Sequence, residues 1–319
     1  MSAPVSADDV LVVILTFNSA SVIERTVGAA RLVSQRVLVV DSFSIDDTRE
    51  RATTLGCTVV TRAFKHYADQ RNWAIQTHGN ARPWQLHLDA DEVLDDRAVA
   101  SIRQALADPR GNAGFLLKRL TYFMGRPLRF AGENSWHMRL FQSGHGACED
   151  RLYDQHFTCS GPVRRLPGLM HDLNVGTLTE WTARHNRWSD LESEELRRPS
   201  DAAGKLEGEL SSDPRKRRRL YKGFYYRAPR GLRALAYFLF RYVAQLGFLD
   251  GRVGFYYTFF QALWFRMLVD AKLDEGDSAL GSRLATGLQE SFDAQPGGDI
   301  VAATEEIISL HRPSHRADH

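Results

Sequence analysis

The sequence predicts an α/β protein: a mainly parallel sheet with helices on both faces, followed by a helical region. Three observations carry this. Short β-branched runs alternate with helical segments from about residue 10 to residue 119. Strands in such runs are apolar throughout, as strands covered on both faces are. Beyond Leu120 the alternation decays, and basic, aromatic and apolar residues take over. In order, Val10–Leu15 (VLVVIL) is the first strand, and Ser19 can cap a helix from Ala20 to about Val33. Arg36–Val40 is the second strand, followed by a short helix opened by Ser44 or Asp46 and running to about Leu55. Cys57–Thr61, Trp84–Leu88 and Gly114–Arg119 are the third to fifth strands, separated by helices at Tyr67–Thr77 and from Asp95 or Asp96 to Ala107. A βαβαβαβαβ succession of this kind requires crossover helices and therefore parallel neighbours.

Composition bounds the rest. Hydrophobic residues make up 43% and charged residues 25% of 319, the values of a folded domain rather than a disordered chain. Net charge is only +2, which gives no global argument for a nucleic-acid partner, and none is expected. Cys57, Cys148 and Cys159 form neither a CxxC pair nor a zinc-ligand spacing, which fits a reducing compartment. The apolar run at residues 10–15 is too short for a signal-peptide core, so no export signal is read and a cytoplasmic location is expected.

In open parallel sheets ligands bind beyond the carboxyl ends of the strands. The residues there are Thr16-Phe17-Asn18, Asp41-Ser42 and Asp89-Ala90-Asp91. A diphosphate leaving group needs its growing charge neutralised, and a divalent cation shared between a carboxylate and phosphate oxygens does this. Asp89-Ala90-Asp91 projects two carboxylates from one loop; Asp41 can accept hydrogen bonds from a base or ribose. Neither GxGxxG nor GxxxxGK[ST] is present, which weighs against dinucleotide oxidoreductases and P-loop NTPases.

The strings VVILTFN, VLVVDSFSIDDT, YADQRNWAI and WQLHLDADEVL, in that order over residues 9–120, resemble family 2 glycosyltransferases of GT-A fold. The subgroup most similar is that of lipopolysaccharide-core glucosyltransferases. The resemblance implies a nucleotide-sugar donor and Mn²⁺ or Mg²⁺. It also implies Asp41 on the nucleoside, Thr16 and Asn18 in the base pocket, Asp89 on ribose or diphosphate, Asp91 on the metal, and Gln70 and Arg71 near the donor with Arg71 on phosphate. A second likeness competes: LHLDADEVL fits the hhhhDxDx[TV][LV] pattern of haloacid-dehalogenase-type phosphatases, with Asp89 as nucleophile and Asp91 as acid/base. That motif normally opens its domain, whereas about 75 residues of strand and helix precede it here. A third alternative is a membrane-docked module that binds a nucleotide or glycan without turnover.

Inverting transfer needs a general base opposite the leaving group. Family members supply a carboxylate in the region that here reads Cys148-Glu149-Asp150-Arg151-Leu152-Tyr153-Asp154-Gln155. The usual position falls near Gln155, which cannot act as a base. Asp154 is put first, followed by Asp150 and Glu149. By the same resemblance His171 is a second candidate metal ligand. Arg184-His185-Asn186-Arg187-Trp188 resembles the QxxRW motif of processive polysaccharide synthases without its Gln, so a single-addition enzyme fits better.

Arg215 to Arg233 holds nine basic residues and no acidic one, with Tyr221, Phe224, Tyr225 and Tyr226 interleaved. Residues 234–273 are apolar, but the longest uncharged run, Val253–Phe265, is thirteen residues, short of the ~20 that cross a bilayer. Basic segments followed by aromatic amphipathic helices lie in membrane interfaces beside anionic lipid; packing on the main domain or a homodimer interface is the alternative. The expected domains are residues 1–190 (catalytic), 191–275 (membrane-associating) and 276–319 (helix at Ile300–Leu310 and tail). The expected setting is the inner face of the plasma membrane, with a lipid-linked or glycan acceptor.

Overall fold

The computed structural model describes residues 9–198 and 207–277. It comprises two compact units, Met1–Asp270 and Ala271–His319, of which the second is described only to residue 277. The helix expected at Ile300–Leu310 and the tail lie outside the described residues.

The first half follows the alternation. Strands β1 (Val10–Thr16), β2 (Val37–Asp41), β3 (Thr58–Thr61) and β4 (Trp84–Asp89) are joined by helices α1 (Ile23–Arg31), α2 (Thr48–Thr54) and α3 (Tyr67–Thr77). They pair in parallel in the order β3-β2-β1-β4. Both faces of β1 are covered: Val10, Val12 and Ile14 pack in the main core with Ile23, Val27 and Ala30 of α1, while Val13 and Leu15 join Leu38, Val40 and Ala74 on the other side. That is why the strand reads as an unbroken apolar run. The first helix begins three residues later than Ser19 suggests; Ser19 instead accepts the Val22 and Ile23 N–H groups with its carbonyl.

After β4 come β5 (Glu92–Leu94), α4 (Asp96–Ala107, capped by Asp95), β6 (Gly114–Phe123), β7 (Arg126–Pro127), β8 (Trp136–Gln142), β9 (Gly146–Cys148), β10 (Phe157–Cys159) and β11 (Val163–Asp172). The nine-stranded sheet continues β4-β8-β6-β11-β5, with β7 on the edge of β6. β8 inserts antiparallel between β4 and β6, while β11 returns parallel to β6. The architecture is a GT-A-like α/β fold, mainly parallel with an antiparallel extension. β9 and β10 form a separate hairpin, bracketed by Asn72 of α3, which both donates to the Cys148 carbonyl (2.9 Å) and accepts from the Cys148 N–H (2.8 Å).

The remaining described helices are α5 (Leu178–Arg197), α6 (Pro214–Arg227), α7 (Leu232–Leu239), α8 (Gly251–Thr258) and α9 (Phe265–Asp277). α5 starts at a Thr177/Glu180 capping box. α7 and α8 each run on into a π-helical stretch, Phe240–Ala244 and Phe259–Trp264. Tyr257 and Trp181 close over Phe123, Leu128 and Ala131, so one side of this helical layer packs on the sheet domain. No described helix is long and apolar enough to cross a membrane.

Candidate active site

The ends of β1 and β2 are stitched together by buried polar contacts. Asp41 is fully buried; its carboxylate accepts from the Thr16 hydroxyl (2.8 Å), the Ser44 N–H (2.8 Å) and the Ser44 hydroxyl (2.5 Å). Asn18, in the left-handed region (φ 47°), accepts the Ile45 N–H on its side chain and donates its own N–H to Ser44. Thr16, Asn18 and Asp41 are thus one unit that shapes two adjoining loops. Phe17, Phe43 and Ile45 are left exposed at their rim.

The DxD loop lies at the end of the next strand over. Asp89 is held between two guanidiniums, Arg71 (2.5 Å) and Arg139 (2.9 Å). Burial opposes its charge, but Arg139 and Arg71 outweigh burial and hold the carboxyl well below its ordinary range. Arg71 is itself buried and also donates to the Leu88 carbonyl (2.8 Å). Gln70 is buried too and donates to the Ser42 hydroxyl (3.2 Å). Both residues brace the strand ends, Gln70 at Ser42 and Arg71 at Leu88 and Asp89.

Asp91 is differently placed. β5 pairs antiparallel with the end of β11, setting Asp172 opposite Glu92, and the Leu173 N–H donates to the Asp91 carbonyl (3.0 Å). Four carboxylates therefore converge: Asp89, Asp91, Glu92 and Asp172. Asp89 and Glu92 share Arg139, and Asp172 lies 3.6 Å from Arg119. Among the described residues Asp91 has no ion pair. Burial, then Asp172, Asp89 and Glu92, push its carboxyl up to about 8, and Arg184 offsets this only in part. An acid in that setting gains by meeting a cation. No three described His, Cys, Asp or Glu side chains form a ready-made cage, however. The residues fit a divalent ion taken up by Asp91 and completed by ligand phosphates and water, the usual manner for Mg²⁺.

His171 precedes Asp172 on β11 and lies opposite Val93 of β5, beside this cluster. The Tyr122 hydroxyl lies 3.0 Å from its Nδ1, a contact that anchors the ring through one nitrogen and leaves the other for a ligand role. The three base candidates separate. Glu149 is buried, accepting from the His156 N–H (2.8 Å) and Arg219 (2.9 Å). Asp154, its side chain 13% exposed, is ringed by Lys222 (3.0 Å), Arg219 (3.2 Å) and Arg218 (3.9 Å). Burial works against its charge, but Lys222, Arg218, His156 and Arg219 win and hold it well below the ordinary carboxylate range. Asp150 stands at the loop tip, 88% exposed and 3.9 Å from His66, which caps α3.

Residues that strand-by-strand reading misses are Arg139, Glu92, Asp172 and Arg119. Arg139 lies inside β8, whose antiparallel insertion no local pattern announces. Arg184 carried a signal, the RHNRW string, and its charge bears on both Asp91 and Asp172.

Fold and site together define a GT-A-like α/β domain with an acidic strand-end centre. Residues 11–165 match the Glycosyl transferase family 2 model. The chain is 36% identical over 196 residues to an uncharacterized glycosyltransferase of Rickettsia prowazekii (strain Madrid E), covering 57% of this chain and 66% of that protein. It is 38% identical over 94 residues to an uncharacterized glycosyltransferase of Rickettsia bellii (strain RML369-C), covering 30% of this chain and 31% of that one. The chain thus spans less than two thirds of the length of these relatives. Among solved structures it is similar to a mannosyltransferase from Pyrobaculum calidifontis in complex with GDP-Man and Mn²⁺ (TM-score 0.46, 14% identity, 85% of this chain and 88% of that one).

Proposed function

We propose that this protein transfers a hexose from a nucleotide-sugar donor to a lipid-linked or surface-glycan acceptor, with inversion and with a divalent metal. The observation that carries the reading is Asp91: an unbalanced carboxylate beside Asp89, at the carboxyl edge of a parallel sheet within a family 2 domain. The unit Thr16–Asn18–Asp41 holds the nucleoside side, with Phe17 and Phe43 offering ring faces to a base. Asp89, oriented by Arg71 and Arg139, accepts a ribose hydroxyl. Asp91 holds the metal, with Arg184 the cation beside it. When bound, the metal offsets the charge of the departing nucleoside diphosphate. His171, anchored at Nδ1 by Tyr122, is the second candidate ligand through its other ring nitrogen.

Asp150 is the base in this reading. Asp154 is already neutralised by three cations, and Glu149 is sealed inside; a base must reach an incoming hydroxyl, and Asp150 alone of the three is open to one. It takes the acceptor hydroxyl proton as the new oxygen–sugar bond forms and the bond from sugar to diphosphate breaks.

The test is nucleotide release from UDP-, GDP- and dTDP-sugars with Mn²⁺ or Mg²⁺ and then EDTA, for wild type and Asp91→Asn. Release from one donor that chelation and the substitution both abolish supports the reading. Metal-independent release, unchanged in Asp91→Asn, overturns it. A lipid-borne acceptor also places the enzyme on the anionic inner face of the plasma membrane.

A further inference from the structure

Helix α7 and the π-helical stretch after it are inside-out. Their charged side chains turn inward: Arg233 is buried against Asp270 (2.5 Å), and Arg241 is buried against the Ala131 and Gly132 carbonyls (2.5 and 3.0 Å). Their apolar side chains turn outward, with Leu232, Leu235, Leu239, Phe240 and Val243 all exposed. The turn into α8 continues the pattern with Leu246, Phe248 and Leu249. A water-facing helix buries the opposite set, and an apolar surface of this extent marks an interaction site.

The segment is also rigidly built. The Asp250 carboxylate accepts three successive N–H groups, from Arg129, Phe130 and Ala131 (3.1, 2.9 and 2.7 Å). Arg241 takes the carbonyls of the same stretch, so the apolar tip is pinned to the sheet domain from both ends.

Charge identifies the occupant. From Pro214 to Leu249 there is no Asp or Glu, whereas Arg227 and Arg230, just before α7, and Arg252, just after the Leu246–Leu249 turn, are exposed. The basic run contributes less than its count suggests, because Arg215, Arg218, Arg219 and Lys222 are turned inward onto protein groups. What remains outside is an apolar face whose own segment, Pro214 to Leu249, carries exposed cations and no acid. Two copies meeting face to face through it bring like charges together; an anionic lipid surface supplies the opposite sign.

We propose that the turn Leu246–Leu249 and the outer face of α7 insert into the headgroup region of an anionic bilayer, with Arg227 and Arg252 on lipid phosphates. This deepens the peripheral association proposed above and rests on it for the setting, but it does not depend on the transfer chemistry.

The full chain should co-sediment with phosphatidylglycerol-containing vesicles and far less with pure phosphatidylcholine. Phe248→Glu with Leu249→Glu should lower partitioning by about tenfold or more. Arg227→Ser and Arg252→Ser should each lower it roughly fivefold, an effect that salt reproduces. All four positions are exposed, and circular dichroism and unchanged donor binding by calorimetry establish that the variants stay folded. The proposal fails if wild type remains in the supernatant, or if the double Glu variant binds anionic vesicles as wild type does. It also fails if analytical ultracentrifugation shows a dimer that the double Glu variant dissolves, since a second copy then owns the surface. Vesicle binding without any nucleotide-sugar binding would leave the docking surface standing and remove the transferase reading.

Discussion

Replacing Arg219 by methionine tests the most loaded contact between the basic helix α6 and the sheet domain. Its guanidinium donates to Glu149 (2.9 Å), to the Asp154 carboxylate (3.2 Å) and to the Asp154 carbonyl (3.0 Å), and its side chain is 11% exposed. Stripping the partner from a buried charge costs about 3–5 kcal/mol. Here each carboxylate keeps a second cation, Arg151 at 3.5 Å for Glu149 and Lys222 at 3.0 Å for Asp154, so the lower end, about 3 kcal/mol, is expected. In a unit of this size that lowers the melting temperature by about 6–12 °C. Adding Glu149→Gln removes one of the stranded charges and should restore about half of the loss. The pH dependence has a definite sign. Asp154 is depressed below its ordinary 3.8 by its cations, so its contribution is complete above that value and fades as the pH falls through the folded value. The gap between wild type and Arg219→Met should be flat from pH 5 to 8 and narrow below about pH 4. Urea denaturation at several pH values measures it. A cost under about 0.5 kcal/mol, the level of an exposed pair, would refute the argument that α6 is clamped inward.

Asp91→Asn should abolish metal-dependent nucleotide release while the fold persists. Because burial and three carboxylates raise Asp91 to about 8, folding favours its protonated form, and the cost of its charge grows as the pH rises from about 4 to 8. In EDTA the Asn variant should therefore match wild type near pH 4 and exceed it by about 2 kcal/mol at pH 8.5, read by urea denaturation. Asp150→Asn should lower kcat by about 10²–10⁴ with donor affinity unchanged. Asp154→Asn should instead lower the melting temperature and leave kcat near wild type in the cold; the opposite pattern would return the base to Asp154. Gly168→Ala should cost about 3 kcal/mol or more, because its φ is +99° and a Cβ there would lie 2.1 Å from the Ala98 backbone nitrogen. Far-UV circular dichroism during heating measures it.

Local pattern was enough for the first half of the molecule. Apolar runs that alternate with helices leave few arrangements other than a parallel sheet, and such a sheet brings Asp41 and Asp89 to one edge. Thus the parallel sheet and the acidic loop were legible before any coordinates, while the order β3-β2-β1-β4 came from the fold. The second half was not, because its strands take their meaning from non-local pairing. β8 enters antiparallel between β4 and β6 and carries Arg139 to Asp89; β11 comes back beside β5 and carries Asp172 to Asp91.

The charges of α6 teach the same lesson from the other side. As a string, Arg215–Arg233 is a basic surface, and its composition alone cannot say which way each cation turns. The fold sends Arg215, Arg218, Arg219 and Lys222 inward, at intervals that share one helix face, because Glu133, Glu149, Asp154 and Glu192 are buried there and need partners. The sequence by itself determined the parallel sheet, the strand-end carboxylates and the family they resemble, since these rest on periodicity and short-range order. Only the tertiary structure decided which carboxylates are neutralised, which remain open, and which face of α7 is left exposed. Those outcomes depend on what each side chain meets across the fold, and the chain does not meet it until it has folded.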